Sequence, residues 1–560
     1  MSSATPTTPT FRRRLPLAGV LRLGRPSDIW FKPALSVVAA VAPPNLTLLA
    51  LGRLDLAMYT MAGSLCALYA HSRPYAARAR VLARVVLGMV GGLAVALVTA
   101  SLTANAVVLV TVGALLAAAQ KAVCDATRVG PPGNVVLAFI SSASLFVPQT
   151  TGQVPGHLAL AAAAGVWAWL VGMAPALVRP HGPERRATAH ALLAAAAYAD
   201  THGTGEGHAR ARAAAAAAVH TAWQSLLSTG ARPALRHALD RLLVRAEVAL
   251  AAPADTDPER LRAWARELRG NGPVPPADVP ADGELLGVDA ELATPASPLW
   301  TRLGPLAPVV LRTALGCALA GYVSLALGVG RPYWALVTAA SLYQANVTLT
   351  WSRGVQRVVG NLVGVLAFAA LVPLTHAHPA ALVLCCLALN FGAEALIGRN
   401  YWLGSVCVTP MALLITEFAK VQQPGELITE RVLDTLVGAL VGLLAAVAVT
   451  NRRAGDRLED ALTAVERARE HAARRLAEPA PAPGAVRSAH RRLAAALVEL
   501  RATAEAASGE WWQRALPQER VVPAEQSAHR TLAATVRRQE ADSWPVADRR
   551  TGTPTEDIRP

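Results

Sequence analysis

The apolar residues of this chain are not spread at helical or strand spacing. They gather into twelve runs, at 33–51, 54–70, 85–102, 106–119, 133–148, 157–178, 306–329, 333–350, 358–374, 379–398, 401–418 and 432–450. As a helix rising about 1.5 Å per residue, a run of this kind reaches across roughly 30 Å of hydrocarbon. The 560 residues are 53% hydrophobic and 16% charged, and the mean hydropathy is positive. Only helices and closed barrels satisfy their backbone groups in lipid. The runs therefore predict an all-α, polytopic membrane protein with about twelve transmembrane helices.

The net charge of +15 reports topology more than a nucleic-acid partner. Cations gather in the amino-terminal tail (Arg12, Arg13, Arg14, Arg22, Arg25, Lys32) and in Arg73, Arg78, Arg80 and Arg84. Further groups are Lys121 with Arg128, Arg179 with Arg185 and Arg186, Arg353 with Arg357, Arg399, and Arg452 with Arg453. Counting spans from the first run, all of these fall on one side. The loops 103–105 and 149–156 have no Lys or Arg, and 375–378 offers only His376 and His378. The bias puts both termini in the cytoplasm, in a multi-pass protein of the plasma or inner membrane. Arg53, Arg331, Lys420 and Arg431 break the pattern. The Arg-Arg-Arg-Leu of the tail is read as cytoplasmic rather than as an export signal, because Arg22 interrupts the apolar stretch after it.

Internal repetition is visible. Arg84-Val-Val-Leu-Gly-Met-Val-Gly91 recurs as Arg357-Val-Val-Gly-Asn-Leu-Val-Gly364 and as Arg431-Val-Leu-Asp-Thr-Leu-Val-Gly438. Residues 84–98 and 357–371 share eight identities in fifteen positions. The plan reads as two parallel six-helix repeats, 31–180 and 301–451. A cytoplasmic tail (1–30) precedes them, a cytosolic helical segment with a Pro-rich linker (181–300) separates them, and a helical tail with a disordered end (452–560) follows. In the second repeat, Arg331-Pro-Tyr-Trp and Arg399-Asn-Tyr-Trp open the second and fifth spans. Spans seven to nine and ten to twelve thus look like an inverted pair, an arrangement that builds sites at the interface of the two units. The first repeat has Gly165 where its sixth span should carry the arginine.

Outside the spans, 184–202, 206–229, 232–252, 258–269, 453–477 and 485–508 are rich in Ala, Leu and Arg and read as cytosolic helices. Residues 271–298 read as linker and those from about 541 as disordered.

No phosphate-binding Gly-rich loop, zinc-protease motif or nucleophile elbow occurs, so the chain is not expected to be an enzyme or to hold a cofactor or metal. The six cysteines show no ligand spacing. The pairs Gly88/Gly92, Gly360/Gly364 and Gly438/Gly442 are expected to pack helices closely. Arg84, Arg357 and Arg431 either snorkel to headgroups or form basic rings at the two ends of an anion path. Asp434, one turn beyond Arg431, is expected to pair with it or to respond to protons. Glu394 is the most embedded acid. Asn346, Asn361 and Asn390, with Gln344, are candidates to orient a carboxylate. Tyr333, Trp334, Tyr401 and Trp402 are expected first as interfacial belts.

Three of these segments, Arg331-Pro-Tyr-Trp-Ala-Leu-Val-Thr, 357–364 and 431–442, resemble the fusaric acid resistance family, closely over about 305–450 and less over 31–180. That family includes aromatic acid exporters and is distantly similar to plant aluminium-activated malate channels. The resemblance implies six-helix units with cytosolic helices and export of organic anions. A small aromatic carboxylate is the leading expectation, and because an anion leaving a negative interior gains about 2.3 kcal/mol per 100 mV, membrane potential or a proton gradient would drive it. It leaves open a voltage-driven anion channel and a scaffold without transport. The implied partners are an organic anion and the bilayer, with no nucleic acid; a homo-oligomer is compatible with it.

Overall fold

The structure, a computed structural model, describes residues 17, 19–24, 29–201, 206–228, 233–251, 253–270, 272–276, 303–344, 346–418, 422–449, 454–481, 484–508 and 518–543. Arg12, Arg13, Arg14, Arg25, Lys420, Arg452, Arg453, most of the expected linker and the end beyond 543 lie outside them. The regular elements among the described residues are all helical.

First come α1 (Phe31–Ala50), α2 (Ala57–Ser64, flanked by 3-10 turns at Leu54–Leu56 and Leu65–Leu68), α3 (Tyr75–Leu102), α4 (Ala106–Ala126), α5 (Val135–Leu145) and α6 (Val154–Met173). The single turn α7 (Pro175–Val178) leads to polar helices α8 (Gly182–Ala199), α9 (Glu206–Leu227), α10 (Pro233–Ala251) and α11 (Pro258–Arg269). A second apolar set follows: α12 (Ala307–Ala326), α13 (Tyr333–Leu342), α14 (Val347–Ala377), α15 (Pro379–Ile397), α16 (Tyr401–Glu417) and α17 (Pro424–Ala448). The polar α18 (Ala454–Ala477), α19 (Ala485–Ser508) and α20 (Gln518–Ser543) end the described chain. Among the described residues, eight helices are long and apolar enough to cross a membrane, and four apolar ones are shorter.

The short ones are α2, α5, α13 and α16, so the order long, short, long recurs four times. Here the expectation of twelve uniform runs needs correction. The run 333–350 holds a helix of only ten residues, which rises about 15 Å, half the hydrocarbon thickness. It ends at Leu342 because Asn346 starts another helix: its Oδ1 accepts the Leu349 N–H at 2.8 Å. α14 accordingly begins at Val347 rather than 358.

Burial follows the same division. All ten residues of α13 are buried, as are seven of the eight in α2. The long helices instead turn leucines outward, among them Leu87, Leu102, Leu115, Leu366, Leu384 and Leu440. A broad exposed apolar belt of this kind marks a membrane-facing surface.

Each short helix packs on the third helix of a neighbouring triplet. α2 meets α6 and α5 meets α3; likewise α13 meets α17 and α16 meets α14. The leading helices join the two sets, α4 against α12 and α1 against α15. Missing side chains permit these contacts. A Cβ on Gly438 would lie 2.8 Å from Thr338 Cβ, on Gly360 2.6 Å from Trp402 O, and on Gly364 2.7 Å from Thr409 Cβ. On Gly442 it would reach Leu342 Cδ1 at 3.0 Å, and on Gly92 the Gln120 Nε2 at 2.6 Å. Gly88 differs: a Cβ there meets nothing within 4 Å, so the close packing expected of it is absent.

The polar helices carry their own cores, one around Leu192, Trp223 and Leu242 and one around Leu458, Leu493 and Leu500. The ion pair Arg487–Asp240 (3.2 Å) and the polar contact of His490 Nε2 with Glu247 Oε1 (3.5 Å) tie α19 to α10.

Candidate functional site

The second apolar set encloses a polar group built from two matching halves. On α14, Arg357 and Asn361 stand one turn apart; on α17, Arg431 and Thr435 do the same. All four are buried. Asn361 Nδ2 donates to Thr435 Oγ1 at 3.0 Å, which joins the two helices at the centre. Thr409 of α16 donates to Asn361 Oδ1, and Arg431 Nη2 reaches the same oxygen at 3.4 Å.

Each arginine also meets the aromatic start of a short helix. The Arg431 guanidinium lies over the Trp334 ring, 4.0 Å from its centroid. Arg357 Nη1 donates to Tyr401 Oη at 3.0 Å, while Arg353 stacks on the Tyr401 ring at 3.8 Å. The Arg-Pro-Tyr-Trp and Arg-Asn-Tyr-Trp segments thus occupy corresponding places. Tyr333 and Trp334 are buried inside the helix group, 6% and 1% exposed, which corrects their expected place in an interfacial belt. The reason is the shortness of α13, which ends inside the group and carries its aromatics with it.

The donors are not all used. Arg431 Nε and Nη1 and Arg357 Nε are buried and have no hydrogen-bond partner among the described residues. Unpaired buried donors are rare, and on a cation they are costly. Asp434, fully buried, accepts from Ser324 Oγ at 2.5 Å. No ion pair joins it to Arg431 among the described residues, and its Oδ2 is unpartnered. Arg431 thus bonds to Asn361, one helical turn from Arg357 and within electrostatic reach of it.

Several candidates lie elsewhere. Arg84 is exposed on α3, outside the group. The buried faces explain this: Val85, Met89, Gly92 and Leu93 of α3 match Arg357, Asn361, Gly364 and Val365 of α14. The structural register is one residue off the sequence repeat, which turns Arg84 about 100° away. Asn346 spends its carbonyl on the cap, and Asn390 Nδ2 donates to Cys386 O of its own helix at 3.0 Å. Glu394 is half-buried on α15, within electrostatic reach of Tyr69 in the first set.

At the α3 positions that match Arg357 and Asn361 the first set has Val85 and Met89; its buried polar residues, among them Asn45, Thr60, Arg78 and Ser142, stand at other positions. Of the cations that break the charge pattern, Arg53 pairs with Asp55 and Arg331 with Glu430, each at 3.0 Å. Reasoning from sequence passed over Arg353, Thr409, Thr435 and Ser324. Only the polar spacing at 431, 434 and 435 signalled part of this.

The amino-terminal stretch closes one side of the group. Val20 O accepts from Gln356 Nε2 (2.9 Å) and Asn400 Nδ2 (3.0 Å), and Leu21 O accepts from Trp402 Nε1 (3.2 Å). Gln356 and Trp402 neighbour Arg357 and Tyr401 in the chain, so residues 20–24 lie as a strap beside the second arginine.

Residues 318–445 match the fusaric acid resistance protein-like family, and this domain contains the whole arginine group. An uncharacterised membrane protein of Bacillus subtilis (strain 168), YvaC, is 32% identical over 139 residues. The match spans 24% of this chain and 22% of that relative. No solved structure matches.

Proposed function

We propose that this chain exports small organic anions, most simply aromatic carboxylates, through the second apolar set. The reading assigns the molecule to the cell membrane, both termini cytoplasmic, with four long–short–long triplets as inverted pairs within two parallel repeats. The observation that carries it is the buried arginine group, whose Arg431 Nε, Arg431 Nη1 and Arg357 Nε have no acceptor among the described residues. A carboxylate supplies such acceptors, and guanidinium groups bind it with charge-assisted hydrogen bonds. Trp334 and Tyr401 supply aromatic walls beside both cations. Broken or short helices at a repeat interface are where transporters place their substrate.

The closed packing favours a carrier over an open channel. Asn361 bridges α14, α16 and α17, and the strap covers one side, so passage requires these contacts to alternate. Each monovalent anion leaving a negative interior gains about 2.3 kcal/mol per 100 mV. Potential alone therefore suffices as a driving force, and Asp434 is the group through which a proton gradient would add to it. Cells expressing the chain, loaded with a panel of labelled aromatic acids and amines, test the substrate class. Faster loss of acids alone supports it; equal loss of amines, or no change, contradicts it.

A further inference from the structure

A second basic site lies among the polar helices, remote in sequence from the arginine group. A partly open cavity of about 460 Å³ is lined by α9 and α10 from one polar segment and α19 and α20 from the other. Its size is ordinary for a small-molecule site, about 300–1,000 Å³. Three arginines line it, Arg212, Arg491 and Arg492, against one carboxylate, Glu247.

That carboxylate is already engaged. Glu247 Oε1 accepts from Trp223 Nε1 at 2.7 Å and faces His490 Nε2 at 3.5 Å. The bond fixes the indole, and Arg491, 5% exposed, lies over its ring at 5.0 Å. Arg212 Nε is buried without a partner. The remaining wall is apolar, including Val219, Leu250 and Leu497. A cavity with an anchored aromatic floor, an apolar wall and excess guanidinium selects a ligand that is flat, apolar at one end and anionic at the other.

We infer that this cavity binds a small aromatic carboxylate, and that its ligand bridges the two polar segments. The inference does not rest on the transport reading, because the cavity would bind equally in a molecule that carries nothing.

The test is equilibrium dialysis of labelled benzoate against the full chain in detergent, with empty micelles subtracted. Ala495→Phe fills the cavity from α19 without changing charge, and Ala216→Phe does so from α9. Arg212→Gln removes one cation, and R431Q reports on the membrane group separately. Expected is a saturable benzoate site lost in either filled variant and weakened about tenfold by Arg212→Gln, the loss of one charge-assisted contact. Benzylamine should not compete, and the site should persist in R431Q. Benzoate binding unchanged in both filled variants, or equal competition by benzylamine, overturns the inference. Benzoate binding lost only in R431Q also overturns it, and leaves the membrane reading standing.

Discussion

Arg431 is a charge kept where its stabilisation is incomplete. Its surroundings supply one long hydrogen bond to Asn361 and the face of Trp334, and leave two nitrogens, Nε and Nη1, without an acceptor among the described residues. Replacing buried ionic groups by well-packed apolar side chains of similar volume is often neutral or stabilising, by up to about 4 kcal/mol, because the desolvation penalty is removed. Arg431→Met is therefore predicted to raise the thermal midpoint of the purified protein while abolishing anion flux. A fall in the midpoint with flux retained would make Arg431 a structural residue. At this scale the sequence was partly readable. Cations inside apolar runs are rare, so Arg357 and Arg431 stood out. Arg84 stood out equally, but one position on a helix is about 100°, and identity counting does not resolve that. Asn346 was read by its amide, although Asn before a helix is a capping signal.

Among the elements, the close crossings of short and third helices rest on glycine. Gly438→Ala would place a methyl 2.8 Å from Thr338 Cβ and against the Ala335 carbonyl, separating α17 from α13. Overpacking of this kind costs about 1–3 kcal/mol. Gly88→Ala meets open space inside a helix and is predicted to stabilise by about 0.5–1 kcal/mol, the opposite sign. Thermal unfolding of the two variants checks the contrast. The polar bundle carries a pH dependence of definite sign. Burial, and then Arg212, push the His529 imidazole down from 6.5 to about 4. As pH falls below 6.5 the unfolded chain takes up this proton first. Bundle stability is thus undiminished above 6.5 and declines toward about pH 4. Hydrogen exchange of α9 and α20 across that range should show the decline, and His529→Gln should flatten it. Helix existence was legible from apolar runs and from Ala, Leu and Arg composition. Helix length was not, because an apolar run continues through 333–350 while the helix stops at Leu342. α20 begins after the last stretch whose composition pointed to a helix.

Across the whole molecule, the described residues repeat the order long, short, long four times, and the paired arginine group lies in the second apolar set. The first apolar set has Val85 and Met89 where the second has Arg357 and Asn361. The two sets pack together through α1 against α15 and α4 against α12. The central claim is that anions pass the Arg357–Arg431 group. Its most direct test is labelled benzoate flux in proteoliposomes clamped at a potassium diffusion potential. The wild type should move benzoate toward the positive side at a rate that rises with potential. Arg357→Gln and Arg431→Gln should each abolish this, and Arg84→Gln should leave it intact. Equal flux in all four proteins, each shown to be folded, would contradict the account.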